Sequence, residues 1–284
     1  MNIQEDRAKI AAAYFEAINL SNLELYRCIK NKLEDVRPVY PLVEFIIERL
    51  TVVTQLTFEN SLWDAEIIFR SALETYIKLI FILSADDEER KIRLKEYWED
   101  LEEINRLKQS EQAKKNLAIT GDTKLYKLAF SPLMLTEEKE AELREKWNKT
   151  RRKEVERKWS FSEIIFSLTK NYKGVALEAF ILLTHSYRMA SHVTHGDETG
   201  ILIIAERNQR SESDKIIADF AHFIRLMSDS FGFCVYMGME VCSFIKEDTK
   251  VFTDLIMSLK EIQELCEAYQ LKLYDDPCYD NYRN

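Results

Sequence analysis

A chain of 284 residues with only six glycines and four prolines has few places to turn sharply. Tight turns between strands consume these residues: glycine reaches backbone angles closed to other residues, and proline pre-sets a bend. A sheet protein of this length would need many more. The scarcity of breakers, in a chain rich in Leu, Ile, Glu and Lys, predicts long helices joined by few connections. A hydrophobic share of 46% and a charged share of 31% belong to a globular chain, not a disordered one. The length supports one large helical domain or two small ones with a sizeable buried core. The expected fold class is therefore all-α, a multi-helix bundle.

Read along the chain, residues 4–35 form a first helix that ends before Pro38, and Pro38 and Pro41 bracket a turn, because the residue before a proline is pushed out of helical geometry. Residues 42–83 are helical again, with a break at Asn60–Ser61, where Ser61 and Asp64 resemble a capping box. The stretch EIIFRSALETYIKLIFIL at 66–83 is apolar nearly all round and predicts a central helix. After Ser84 the character changes. Ile92, Leu94, Tyr97, Trp98, Leu101, Ile104 and Leu107 recur at three- and four-residue steps in a highly charged background, a narrow stripe suited to a partner helix. Residues 119–135, with Gly121 and Pro132, read as a connecting loop, and Thr136 caps a second charged helix reaching Lys158. Residues 85–158 are thus expected to be a charged helical hairpin inserted into a helical core domain made of residues 1–84 and 159–272, with 273–284 a flexible tail. Within the second part of that core, Ser160 or Ser162 caps a helix holding Ile164, Ile165 and Leu168. A helix over 175–195 ends at Gly196, residues 200–210 form a linker with a short extended piece at ILIIA, and helices follow at 212–247 and 250–272.

The formal net charge of −9 and pI near 5.2 exclude a surface coated all over with nucleic-acid-binding charge, though not a local basic site. Five scattered cysteines, Cys28, Cys234, Cys242, Cys266 and Cys278, form no CxxC pair; the odd count predicts reduced thiols and a cytoplasmic setting. The N-terminal stretch shows no basic region followed by an apolar run, so no secretory signal is expected. The most apolar later stretch, SFGFCVYMGMEVCSFI at 230–245, is short and carries Glu240, which predicts a buried core helix rather than a membrane span.

One constellation carries chemistry. HSYRMASHVTHG holds three of the four histidines, and His185, Arg188, His192 and His195 are separated by three, four and three residues. At about 100° per residue these side chains share one helix face. Burying them would be costly unless each had a partner. An imidazole titrates near neutral pH and moves protons, and a guanidinium holds a phosphate and offsets charge developing on it. One acid or base with one cation is a minimum set for cutting RNA without metal: the base takes the 2′-hydroxyl proton, the oxygen attacks the adjacent phosphorus, and the arginine steadies the pentavalent phosphate. His195, in the last helical turn, is favoured as imidazolium by the helix dipole, which suits it to proton donation.

Arg188 and His195, with six residues between them, resemble the R-x(4–6)-H signature of HEPN domains. That resemblance implies a small all-α domain, a metal-independent endoribonuclease acting as a toxin or antiphage defence effector, no cofactor, and a composite site in which the Arg–His pairs of a homodimer meet. It would make Arg188 a phosphate contact and His195 a proton-transfer group; His192, too close to Arg188 for the signature, is a further candidate only by its place on the same helix face. The residue after the arginine is often polar in that family, and here it is Met189. A second resemblance, to an uncharacterised bacterial family over roughly residues 40–200, rests on R-S-A-L-E from Arg70 to Glu74, on Trp159, and on Y-x-x-x-S-x-x-x-H from Tyr187 to His195. It implies no activity but singles out Arg70, Glu74, Tyr187, Ser191 and His195. Arg70 and Glu74 are an i,i+4 pair on a very apolar helix, so they are buried together, as a structural ion pair, or face a polar site.

Competing expectations stay open. A metal site would use His192 and His195 with Asp197 or Glu198; no E-x-x-H motif supports it, and no metal or cofactor is expected. His185 and His222 read as satisfied core or surface histidines. The basic run Arg144–Lys158, above all Arg151, Arg152 and Lys153, with Trp147 and Trp159 for stacking, offers RNA a landing surface, or it is a solvated face partnered by the acidic run Asp86–Glu103. The alternative to the ribonuclease is a non-catalytic helical interaction or sensor module that takes a protein partner through the charged hairpin, with no membrane association.

Overall fold

The computed structural model describes residues 2–121, 123–171 and 177–274. The expected tail from residue 275 onward, Cys278 within it, and the side chain of His185 lie outside the described residues. Among the described residues there are helices and no strand, so the all-α multi-helix expectation holds.

The chain runs through α1 (Ile3–Lys30), the short α2 (Leu33–Val36), α3 (Tyr40–Phe58) and α4 (Leu62–Leu83). It continues through α5 (Asp87–Lys95), a π-helical turn at Glu96–Asp100, α6 (Leu101–Thr120), α7 (Lys124–Phe130), α8 (Glu137–Lys146), α9 (Lys149–Lys158) and α10 (Phe161–Asn171). It closes with α11 (Leu177–His195), α12 (Glu198–Gln209), α13 (Glu212–Phe244), α14 (Lys250–Ser258) and α15 (Lys260–Tyr274). Two compact units result, one of residues 1–83 and 168–284, the other of residues 84–167.

In the first unit α4 packs on α3, α11 and α13, and α13 also packs on α1 and α3. Leu73, Ile77, Leu79 and Ile80 of α4 are at most 1% exposed. Fully burying such a side chain contributes about 1.5–3 kcal/mol each, so α4 is central for the reason its sequence announces. The break before it is a helix stop of the Schellman type. Asn60 takes a positive φ of 61°, its amide donates to the Thr57 carbonyl (3.2 Å), and the Ser61 amide donates to the Leu56 carbonyl (2.9 Å). The apolar stretch at 230–245 is the buried second half of α13, as expected. No described helix is long and apolar enough to cross a membrane.

The second unit has a core of its own, in which Ile104 and Leu107 of α6 meet Leu143 of α8 and Trp147, with Leu135 and Val155 against them. The stripe expected to want a partner helix is therefore covered, at these positions, inside the unit. Residues 119–135 are not a plain loop. Thr123 caps α7 by accepting from the Tyr126 amide, and Pro132 sits in a 3-10 turn at Ser131–Leu133. The helix expected over 136–158 is split at Trp147, because Asn148 caps α9 by accepting from the Arg151 amide.

Candidate functional site

The site is set at the C-terminal end of α11. Gly196 takes φ +56°, its amide donates to the Val193 carbonyl (3.2 Å), and the Asp197 amide donates to the His192 carbonyl (3.3 Å). Asp197 then caps α12: its Oδ1 accepts from the Gly200 amide (3.1 Å). A Cβ at Gly200 would meet the His192 carbonyl oxygen at 2.4 Å. Only glycine lets the first turn of α12 lie this close to the last turn of α11. Residues 198–209 are helical, not the linker with an extended piece that was expected. The β-branched run of ILIIA favours a strand locally, but the Asp197 cap and the close packing at Gly200 decide for helix.

This joint fixes two imidazoles in complementary states. His192 Nδ1 lies 2.7 Å from Asp197 Oδ2, so His192 donates there and keeps Nε2 open. The same hydrogen bond is the main reason the Asp197 carboxyl sits below its usual range, with the Gly200 amide second. His195 Nε2 lies 3.4 Å from Nη1 of Arg70 on α4. A guanidinium only donates, so His195 accepts at Nε2 and carries its proton on Nδ1. The two histidines thus take different partners and do not converge as a ligand pair.

Arg70 ties α4 to α11. Its Nε donates to Glu74 Oε1 (3.0 Å), its Nη2 donates to the Tyr187 hydroxyl (3.2 Å), and its guanidinium carbon lies 4.9 Å from the centre of the Tyr187 ring. Burial pushes the Tyr187 phenol above its ordinary pKa, against the pull of Arg70. Arg70 and Glu74 are therefore both an ion pair and part of a half-open polar cluster. Arg188 is exposed, and no hydrogen bond or ion pair holds it among the described residues. Ser191 is half-buried with no hydrogen bond among the described residues. Of the sequence candidates, then, Arg70, Glu74, Tyr187 and His195 come together. His192 stands one turn away with Asp197, and Arg188 lies on the same face without touching them.

The weaker basic candidates lie in the second unit. Arg152 faces Glu111 (3.6 Å), Arg151 stacks 4.8 Å over Trp147 and donates to the Lys146 carbonyl (3.4 Å), and Lys153 is exposed. Trp147 and Trp159 are 1% and 4% exposed, with their indole N–H groups on Glu103 (2.7 Å) and Glu96 (3.1 Å). Neither indole is open to stack on a base. The acidic run does partner the basic one here: Lys146 pairs with Glu103 (2.5 Å) and Lys158 with Glu96 (2.7 Å).

Sequence reading missed a buried polar network beside this site. Glu66, one turn before Arg70 on α4, is 4% exposed and takes both Arg225 and His222 Nε2 (2.6 Å) on Oε1, while its Oε2 is buried without a partner. Arg207 Nη1 meets His222 Nδ1 at 2.8 Å and lies 3.5 Å from Asp219. The Trp63 ring lies edge-on to His222, with centroids 4.9 Å apart, and Arg207 lies 4.5 Å over Trp63. One signal was available. Glu66, Arg70, Glu74 and Lys78 stand at four-residue steps, a line of alternating charge down an otherwise apolar helix.

The sequence profile of a family of unknown function, DUF5677, matches residues 46–214. That span holds α4, α11, Arg70, Glu74, Tyr187 and both histidines of the joint. No curated protein and no solved structure matches the chain.

Proposed function

The chain belongs to the family DUF5677, and from that premise we propose that it is a HEPN-like, metal-independent endoribonuclease that acts as a toxin or antiphage defence effector. One observation carries the reading. Two exposed imidazoles, one helical turn apart, are held in opposite hydrogen-bonding states, His192 by Asp197 and His195 by Arg70. The first has the form of a general base, an imidazole whose Nδ1 is backed by a carboxylate and whose Nε2 is open. Arg188, unneutralised on the same face, and Arg70 are the phosphate-holding cations. A phosphodiester drawn onto Arg70 competes for its Nη1 and frees Nε2 of His195. In its protonated form, that imidazole, with Nε2 now turned to the phosphodiester, is the acid. His192 removes the 2′-hydroxyl proton, the 2′-oxygen forms a bond to phosphorus, and the bond to the 5′-oxygen breaks as His195 supplies its proton. The products are a 2′,3′-cyclic phosphate and a free 5′-hydroxyl. Completion of the site by a second copy of the chain is part of the proposal.

A non-catalytic interaction or sensor module is the second reading, favoured by the hold Glu74 already has on Arg70. Gel analysis of RNA incubated with the protein in excess EDTA separates the two. Arg188→Ala, His192→Ala and His195→Ala each lower cleavage at least a hundredfold with helical content unchanged, and the parent's products end in cyclic phosphate. Parent-like cleavage by the three variants rules the ribonuclease out.

A further inference from the structure

The core unit contains a concavity that shares no residue with the α11 cluster. It opens between α1, α4, α13, α14 and α15 and encloses about 340 Å³, at the small end of the range for ligand cavities. Five rings, those of Tyr14, Tyr76, Phe231, Phe233 and Tyr236, form much of its wall. Among the described residues lining it, the charged ones are two carboxylates, Asp229 and Glu267, and none is a cation. Asp229 Oδ2 accepts from Arg225 Nη1 (3.0 Å), while its Oδ1 accepts no hydrogen bond among the described residues. Arg225 is itself shared with the buried Glu66, and burial pushes the Asp229 carboxyl above its usual range against the pull of Arg225, so the exposed Glu267 is the lining carboxylate that has no ion pair among the described residues.

Aromatic walls and a carboxylate without an ion pair, here Glu267, are the two features that recognise an ammonium ion: ring faces attract a cation through their quadrupole, and the carboxylate accepts its hydrogen bonds. An anion would meet like charge and no donor cation. We propose that this pocket binds a small organic cation, an ammonium group carried on a flat apolar body, with the ammonium at Asp229 and Glu267 and the apolar part among the rings.

Gly232 on α13 lines the same pocket, and a Cβ there would meet nothing closer than the Tyr236 ring at 3.7 Å. Leucine at this position fills the cavity and favours the helix, so it tests occupancy without breaking the fold. The measurement is calorimetric titration of the full chain with 2-phenylethylammonium, with 3-phenylpropionate as the anionic match. Saturable one-to-one binding of the cation, none of the anion, and at least tenfold weaker cation binding in Gly232→Leu and Asp229→Asn is the expected result. Should Asp229→Asn unfold, Glu267→Gln at the exposed rim carries the charge test, with weaker binding expected there too. The proposal is overturned if the cation does not saturate, if both probes bind alike, if Gly232→Leu keeps the parent's affinity, or if the folded charge variant does.

Discussion

Arg70 presents three donors to three neighbours: Nε to Glu74, Nη1 to His195 and Nη2 to Tyr187. The planar fork makes this possible, where a lysine would offer one point charge. His222 of α13, bonded to Glu66 one turn earlier on α4, shows the opposite case, an imidazole closed on both sides. Arg207 can only donate, so Nδ1 accepts and Nε2–H is given to Glu66. Burial first, and the nearby Arg207 second, hold the folded His222 pKa down to about 3, against 6.5 for an ordinary histidine. Between these values the unfolded chain takes a proton that the folded chain refuses. Stability from this group is therefore intact above about pH 6.5 and is lost as the pH falls toward about 3. The loss is at most about 1.4 kcal/mol per pH unit. His222→Gln keeps a donor and an acceptor but cannot be protonated. Urea unfolding at pH 7.5, 6 and 5 should show the parent losing stability more steeply than this variant. Equal slopes would show that His222 does not set the acid response.

At the scale of the element, the joint between α11 and α12 holds His192 and His195 in place, and Gly200 is its tightest point. Alanine there places a methyl group against the backbone of His192, where no side chain can give way. Gly200→Ala should cost about 1–3 kcal/mol and, on the ribonuclease reading, lower cleavage as well, because moving α12 carries Asp197 away from His192. Denaturant titration beside the cleavage assay checks both; a variant as stable as the parent means the joint tolerates separation. This joint also marks what the sequence could reveal. The steps of three, four and three in α11 were legible because helical periodicity is local, and the place of α4 was legible because its apolar residues surround it. The helix at 198–209 was not, since ILIIA prefers a strand until the Asp197 cap and the Gly200 contact override it. Nor were the partners of the motif residues. Arg70 and His195 are separated by 125 positions, and Glu66 and His222 by 156, distances at which no spacing rule operates. Met189, which departs from the HEPN pattern, is half-buried beside the exposed Arg188.

At the scale of the molecule, two units carry two different kinds of interior. Residues 84–167 bury a small apolar cluster under a lattice of ion pairs, of which Lys146–Glu103 and Lys158–Glu96 also receive indole N–H groups on their carboxylates. Exposed pairs contribute about 0–1 kcal/mol each, so Trp147, with the cluster around it, carries the stability of this unit. A peptide of residues 84–167 is expected to melt cooperatively by circular dichroism. Trp147→Ala, at about 3–5 kcal/mol, should abolish that transition; a broad, non-cooperative melt of the unaltered peptide would mean the cluster is too small to hold the unit. Trp63 lies outside this stretch, while the chain's other three tryptophans, Trp98, Trp147 and Trp159, all lie within it. The protein is thus already labelled by region for light. With Trp63 changed to phenylalanine, emission comes from residues 84–167 alone, so the difference between parent and variant isolates the indole in contact with His222, and since protonated imidazole quenches indole emission, that difference reports the charge state of its neighbour.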